Sequence, residues 1–269
     1  IHGNLLIRQR MQVVRALMEE KELAVVTSID GCMDFLESLE QIREQLLHFT
    51  SDSTVNIDAL KARLVWLGYE RVGQVEMPGQ FSIRGGIVDI YCLTEENPWR
   101  IELWGDEIDS IRSFDAESQR SLENLEEITI YPAVEHPGEK AKLSFLDYFP
   151  AQKSVVFLDE PNRLVEKGQA VEEEYNQSRL HRAEKGEKNL PENWLCSFEK
   201  VQKELNKRNC IALCALEPRQ AGWKINEKFY IEAKSVNSYN SSFELLTKDL
   251  EQYKRQGYRI ALLSGSRTR

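Results

Sequence analysis

The sequence predicts an α/β protein in which a small α+β domain interrupts a larger α/β domain. Continuous apolar runs of the kind found in buried parallel strands occur at residues 23–28 and again at 155–158. Between these runs the pattern changes to one amphipathic helix followed by short strands and turns. The return of the first pattern after this interruption indicates one α/β domain that is split in sequence by an inserted unit.

Residues 1–50 are predicted to form the first part of the α/β domain. Apolar residues recur at helical spacing from Ile7 to Met18, and two predicted strands follow, LAVVTS at 23–28 and QLLHFT at 45–50. The segment begins without the first strand of such a unit and without an initiator Met. We therefore expect a piece of a longer protein, truncated at its N-terminus.

Residues 51–134 are predicted to form the inserted α+β domain. Apolar residues between Ile57 and Leu67 fall three and four positions apart, which is the stripe of an amphipathic helix, and Gly68 supplies its C-terminal stop. Five strand patterns follow and end near Pro132: ERVGQVEM, FSIRGGIVDIY, RIELW, EIDSIRSFD and EEITIYPA. One helix packed on an antiparallel sheet is the expected architecture.

Residues 135–236 are predicted to complete the α/β domain, and residues 237–269 to begin the next one. The second part contains the strand patterns VVFLD, NCIALCAL and KFYIEA, with a Glu-rich, largely solvated helix after the first of them. The last segment has a helical stripe closed by Gly257 and then the strand pattern YRIALLSGSR. The chain stops there, so we expect this unit to be truncated.

Composition restricts the function. The chain has 269 residues, 41% of them hydrophobic and 29% charged, and no apolar run long enough to span a bilayer. A net charge of −9 argues against DNA as the main partner of the whole segment, because phosphate binding requires a concentrated basic face. Five cysteines without zinc-ligand spacing or a secretion signal indicate reduced thiols in the cytoplasm, with Cys210 and Cys214 predicted as buried strand residues.

The most enzyme-like stretch is VVFLDEPNRL, in which a strand delivers Asp159 and Glu160 at its C-terminal end. Nucleotide hydrolases use such a pair to hold Mg²⁺ and to orient the attacking water. That chemistry also requires a glycine-rich phosphate loop, and the sequence contains no G-x-x-x-x-G-K-[ST]. The favoured interpretation is a degenerate acidic motif, in which two carboxylates lie at a helix N-terminus.

A second candidate site lies on the predicted sheet. Alternation along RIELW places Arg100 and Trp104 on one face, opposite Ile101 and Leu103, and the same rule puts Arg84 on the polar face. Tryptophan beside arginine is the composition of a protein-interaction hot spot. It is also the composition of an incidental exposed Trp covered by an arginine stem, and composition fits both interpretations equally.

Two glycines follow Arg84 in what reads as one strand, FSIRGGIVDIY. Glycine inside a strand typically marks a bulge or a close backbone approach. We expect Gly85 and Gly86 to permit such a feature and so to turn Arg84 outward, in register with Arg100 on the adjoining strand.

The phrase FSIRGGIVDIY, followed by RIELWGDEIDSIRSFDAESQRSL and the terminal YPA, resembles the UvrB-like module at the N-terminus of the bacterial transcription-repair coupling factors, the Mfd family. HGNLLIRQRMQVVRALM, FLDEPNRL and QGYRIALLSGSR are similar to successive parts of that family, so the resemblance covers essentially the whole chain.

The resemblance implies a degenerate, helicase-like α/β domain that is split by a small α+β domain and has lost ATPase activity. It implies that the small domain binds UvrA, the damage-recognition subunit of nucleotide excision repair, through Arg84, Arg100 and an aromatic position occupied here by Trp104. In the family, the ATP- and Mg²⁺-dependent translocase and the regions that bind RNA polymerase and double-stranded DNA lie further along the protein. No cofactor and no membrane contact are expected for this segment.

Two classes of function follow from the sequence. The first is a non-catalytic segment that recruits UvrA, for which we expect substitutions of the three face residues to weaken binding with little effect on folding. The alternative is a UvrB-like enzyme that hydrolyses nucleotide through Asp159 and Glu160 or binds damaged DNA. The absence of a phosphate loop and of a basic, aromatic-rich hairpin favours the first.

Overall fold

A computed structural model describes residues 2–19, 22–135, 143–185, 195–216, 222–232 and 235–262. The chain divides into two compact units, Ile1–Lys224 and Ile225–Arg269. The larger unit mixes helices with several sheets and is an α/β protein, as the sequence predicts. No described helix has the length and apolar character needed to cross a membrane.

The helices of the larger unit are α1 (His2–Met18), α2 (Ile29–Met33), α3 (Leu39–Gln45), α4 (Ile57–Trp66), α5 (Pro161–Glu184) and α6 (Phe198–Leu205), with a 3-10 helix at Phe145–Tyr148. Its strands are β1 (Leu47–Thr50), β2 (Glu70–Arg71), β3 (Gln80–Arg84), β4 (Ile87–Ile90), β5 (Trp99–Trp104), β6 (Glu107–Phe114), β7 (Ser121–Asn124), β8 (Glu127–Ile130), β9 (Val155–Asp159) and β10 (Asn209–Leu213).

A six-stranded sheet in the order β2-β3-β4-β5-β6-β7 forms the centre of the inserted region. All neighbouring strands are antiparallel except the short pair β2 and β3. The apolar side chains of one face belong to the same buried cluster as Leu60 and Leu64 of α4. The amphipathic helix and the antiparallel sheet are therefore the α+β arrangement that the sequence predicts, with β7 as an additional strand whose four exposed residues give no apolar alternation.

Strands β1 and β8 form a separate antiparallel pair that joins the two ends of this region. Leu47 lies opposite Ile130, and Thr50 lies opposite Glu127. The predicted boundary at residue 50 separates β1 from the segment that contains its partner strand. The division of the chain into four parts stays a prediction.

The remaining sheet consists of β9 and β10, which run parallel. One side of β9 carries buried Leu158, and the other carries Phe157, which is 64% exposed. All five residues of β10 are exposed. Cys210 lies in β10 and Cys214 directly follows it, and both are exposed, so the prediction that they are buried strand residues is wrong.

Segments before and after the inserted region contact each other. The Cys196 amide donates to the Met33 carbonyl at 2.6 Å, and the Leu36 amide donates to the Leu143 carbonyl at 2.8 Å. Helix α2 also packs against α5 and α6. These contacts join the two flanking segments within the larger unit, while the helicase-like character of the split domain stays an inference from the resemblance.

Three predicted strands are absent from the described residues, while residue 233 of the second and residues 263–267 of the third lie outside them. Residues 23–28 are irregular, and Val26 is 98% exposed. Residues 228–232, which include the 89% exposed Ile231, are irregular as well. The described part of the last run, residues 258–262, follows helix α7 (Phe243–Arg255) without strand pairing. A strand requires a neighbour for its backbone groups, and none of these runs has one among the described residues.

Candidate partner-binding site

The stretch FSIRGGIVDIY is a β-hairpin, and Gly85 and Gly86 are its two-residue turn. The prediction of one strand with a glycine bulge is wrong, because Arg84 pairs with Ile87 across the turn. Gly85 has a φ of +61°, at the position where type II′ hairpin turns favour glycine. The strand β4 lies between Arg84 and Arg100, so these two arginines are not on adjoining strands.

Gly86 provides the close backbone approach expected from the sequence. A β-carbon at this position would lie 2.9 Å from the Leu103 carbonyl oxygen. The Leu103 amide donates to the Gly86 carbonyl at 2.8 Å, so the hairpin is held tightly against β5. Any larger residue at Gly86 would push the β3–β4 turn away from the strand that carries Arg100 and Trp104.

Trp104 lies at the same end of the sheet as Arg84. It is the last residue of β5 and precedes Gly105, which has a φ of +64° in the next hairpin turn. Its side chain is 83% exposed. A large aromatic ring in this position adds little to folding and offers apolar area to a partner.

Both arginines of the face bind one carboxylate, that of Asp89 on β4. Arg100 donates from Nε to Oδ1 at 2.7 Å and from Nη2 to Oδ2 at 2.9 Å. Arg84 donates from Nη2 to the same Oδ2 at 2.6 Å. The Asp89 side chain is only 1% exposed, while that of Arg84 is 46% exposed. The three groups together carry one net positive charge.

Arg100 is held on two further sides. Its guanidinium lies over the ring of Phe114, 4.5 Å from the centroid, in a cation–π contact. Its Nη2 also approaches the Gln119 side-chain oxygen at 3.4 Å. The hydrogen bonds to Asp89 raise the pKa of Arg100 above its ordinary value, so the guanidinium is charged at neutral pH.

Gln119 belongs to a tight loop that links β6 to β7. The Asp115 carboxylate accepts hydrogen bonds from the Ser118 amide at 2.7 Å and the Ser118 hydroxyl at 2.6 Å, and these bonds lower the pKa of Asp115. Gln119 has a φ of +59°, and its side-chain amide donates to the carbonyls of Val75 and Ala116. Two residues of the motif FDAESQRS, Phe114 and Gln119, therefore contact the Arg100 guanidinium and hold it in place.

The structure brings Arg84, Arg100 and Trp104 to the polar face, but not with equal exposure. The Arg100 side chain is only 16% exposed, since Asp89, Phe114 and the loop that carries Gln119 surround it. The expectation that all three residues can be replaced with little effect on folding therefore does not suit Arg100.

Asp89 is the residue of this site that we did not single out from the sequence. Alternation along IVDIY places Asp89 opposite Val88 and Ile90, and thus on the polar face. That signal is present in the sequence, but it does not reveal that the carboxylate is buried beneath two arginines from different strands.

The acidic pair that was predicted as a degenerate motif, Asp159 and Glu160, lies at the end of β9, in a different sheet from this face. Glu160 has a φ of +50°, and its amide donates to the Leu213 carbonyl at 2.9 Å. Its carboxylate accepts from the Ala215 amide at 2.8 Å, so it ties the end of β9 to the residues after β10. Asp159 is the exposed last residue of β9. In this arrangement the Glu160 carboxylate accepts a hydrogen bond from the backbone and stabilises the end of the sheet.

Residues 47–136 match the family model described as the UvrB interaction domain. The central sheet and the whole polar face lie within these residues. The part of the chain that carries the site is therefore similar to UvrB interaction domains.

Over about half of its length, the chain is similar to transcription-repair-coupling factors. It is 44% identical over 137 residues to that of Bacillus subtilis (strain 168), a match covering 50% of this chain and 12% of the relative. It is 37% identical over 131 residues to that of Staphylococcus aureus (strain MRSA252), and 36% identical over 131 residues to that of Staphylococcus haemolyticus (strain JCSC1435). Each Staphylococcus match covers 49% of this chain and 11% of the relative. These findings confirm, over about half of the chain, the resemblance that the sequence motifs predicted; its extension to essentially the whole chain stays a prediction.

Proposed function

We propose that this chain is a non-catalytic part of a transcription-coupled repair factor and that it recruits UvrA through the polar face of its inserted domain. The observation that carries the proposal is the exposed Trp104 on the same face as two arginines that Asp89 holds, inside a region that matches the UvrB interaction domain. Trp and Arg dominate the anchors of protein interfaces.

The chemistry of the face suits a partner surface that offers a carboxylate next to an apolar pocket. Asp89 neutralises one of the two arginine charges, which leaves one net positive charge for the partner. The hydrogen bonds described for Arg84 use only Nη2, so Nε and Nη1 remain to donate to a carboxylate. Trp104 would fill the adjacent pocket with its ring.

The test is calorimetric binding of this chain to purified UvrA without DNA, so that DNA cannot bridge the two proteins. Trp104→Ala and Arg84→Ala should each weaken binding by about 1–4 kcal/mol, the range of interface anchors. Arg100→Lys keeps the charge but removes the forked donor geometry, and should restore only part of the affinity that Arg100→Ala loses.

Trp66→Ala is the matched control. Trp66 is a second exposed tryptophan of the same domain, 44% exposed, but it lies on α4, the helix that packs on the apolar face. This variant should bind UvrA like the parent. If the Trp104 and Arg84 variants also bind like the parent, the recruiting face lies elsewhere.

In the wider protein, we propose that UvrA is delivered to stalled RNA polymerase in the cytoplasm by an ATP-dependent double-stranded DNA translocase. The contacts with polymerase and DNA, and the use of ATP and Mg²⁺, would belong to other regions. The role of Glu160 in tying β9 to the residues after β10 supports a segment that works without nucleotide.

A further inference from the structure

We infer that Asp89 is a positioning residue of the recruiting face, because it sets the orientation and spacing of both arginines before a partner binds. The inference rests on the proposed function, since it concerns the same face. It adds a buried residue that cannot itself contact the partner while its 1% exposed side chain stays in place.

The first step is the position of the carboxylate. Asp89 lies on the polar face of the central strand β4, with Arg84 reaching it from β3 and Arg100 from β5. Burying a carboxylate is costly unless it is paired and hydrogen-bonded. The hydrogen bonds described for this carboxylate all come from the two arginines, so their donation is what allows Asp89 to be buried.

The second step is the effect on the arginines. An unrestrained arginine side chain loses rotamer freedom when it binds, which weakens association. Asp89 restricts both side chains beforehand: Arg100 through two bonds and Arg84 through one. The shared carboxylate also reduces the repulsion between two guanidinium groups that meet at a single oxygen atom.

The third step is which donors are presented. Asp89 takes the Nε and Nη2 edge of Arg100, and only Nη2 of Arg84. The half-exposed Arg84 thus presents Nε and Nη1, whereas Arg100 presents Nη1. The carboxylate therefore selects the edges that a partner meets, and the two arginines have different roles despite their identical chemistry.

The test is Asp89→Asn, which keeps the size of the side chain and removes the charge. We expect an unchanged overall fold and about tenfold weaker binding to purified UvrA by calorimetry, comparable with the loss of one charge-assisted hydrogen bond. Asp34→Asn is the matched control: it removes the carboxylate that pairs with Arg10 at 2.7 Å in another part of the larger unit. This control should bind like the parent.

A double-mutant cycle separates positioning from general structural damage. If Asp89 acts through the arginines, Asp89→Asn should cost clearly less in an Arg84→Ala background than in the parent, so the losses do not multiply. A merely structural role predicts losses that multiply. Multiplying losses, or parent-like binding by a folded Asp89→Asn variant, would overturn the inference.

A measurement on the unaltered chain keeps the inference testable if Asp89→Asn does not fold. In the free protein, the Arg100 Nε–H signal in a side-chain ¹⁵N spectrum should be sharp and slow to exchange with water, and Arg100→Lys assigns it by its loss. An Arg100 signal that exchanges as fast as those of exposed arginines would also overturn the inference. If Arg84→Ala and Trp104→Ala bind like the parent, the recruiting face itself is wrong; if only Asp89→Asn binds normally, positioning alone fails.

Discussion

Replacing Arg100 by Ala should destabilise the chain far more than replacing Arg84 by Ala, although both bind the same carboxylate. Arg100→Ala removes two charge-assisted hydrogen bonds, of 2.7 and 2.9 Å, from the Asp89 carboxylate, whose side chain is 1% exposed. It also removes the cation–π contact with Phe114. Arg84→Ala removes one bond and leaves Asp89 paired with Arg100.

The magnitudes follow from burial. Removing one partner of a buried ion pair costs about 3–5 kcal/mol. The lower end applies to Arg100, because Arg84 still reaches Asp89 and water can enter the space that is left. The half-exposed Arg84 should contribute about 0.5–1 kcal/mol, as exposed pairs do. At 2–4 °C per kcal/mol for a domain of this size, the expected decreases in melting temperature are about 6–12 °C for Arg100→Ala and about 1–4 °C for Arg84→Ala.

Thermal unfolding followed by circular dichroism measures both variants under one condition. The double variant Arg100→Ala/Asp89→Asn should recover part of the loss, because it removes the buried carboxylate charge that Arg84 alone pairs only in part. Equal decreases for the two single variants would refute the reasoning, and so would a double variant that is less stable than Arg100→Ala alone.

Three further predictions concern other parts of the chain. Gly168→Ala in α5 places a β-carbon 2.2 Å from the Phe198 ring and should lower the free energy of unfolding by about 1–3 kcal/mol. Gly73→Ala is the control, because open space surrounds Gly73 and its free energy of unfolding should not fall. Equal melting temperatures for the two variants would contradict this packing. With a thiol reagent, Cys210 and Cys214 should react in the native chain and the three buried cysteines only after unfolding, as a time course of modified sites by mass spectrometry would check. Titration of the chain with ATP and Mg²⁺ should give no binding heat, because the sequence has no phosphate loop; a stoichiometric complex would revive the hydrolase alternative.

The sequence predicted those features of the site that depend on local alternation. A period of two was enough to place Arg84, Arg100 and Trp104 on one face of the sheet. It could not predict that Arg100 is nearly covered, because this depends on Phe114 and on the loop after it, which reach Arg100 only in the folded sheet. The hairpin turn was mistaken for a bulge because strand-forming residues lie on both sides of the two glycines. The sign of a turn is the change of phase along the apolar face, from Phe81 and Ile83 before the glycines to Val88 and Ile90 after them.

Apolar runs were the less reliable signal. The run at residues 155–158 lies in a strand because β10 supplies a parallel neighbour, whereas residues 23–28 have equal apolar character and no neighbour among the described residues. Strand formation is decided by a second segment that the run itself does not encode. Helix α4, by contrast, has its pattern, its Asn56 cap and its stop at Gly68 all within one stretch, and it forms as predicted.

The pairing of β1 with β8 has a mechanical consequence for the inserted domain. Because Leu47 and Ile130 lie opposite each other, the chain enters and leaves the domain at nearly the same point. Tension between the flanking segments would load this four-residue ladder by unzipping it from one end, and would not pass through the six-stranded sheet that bears the recruiting face. A pull on the two flanks would therefore separate β1 from β8 and leave in place the strands that carry Arg84, Arg100 and Trp104.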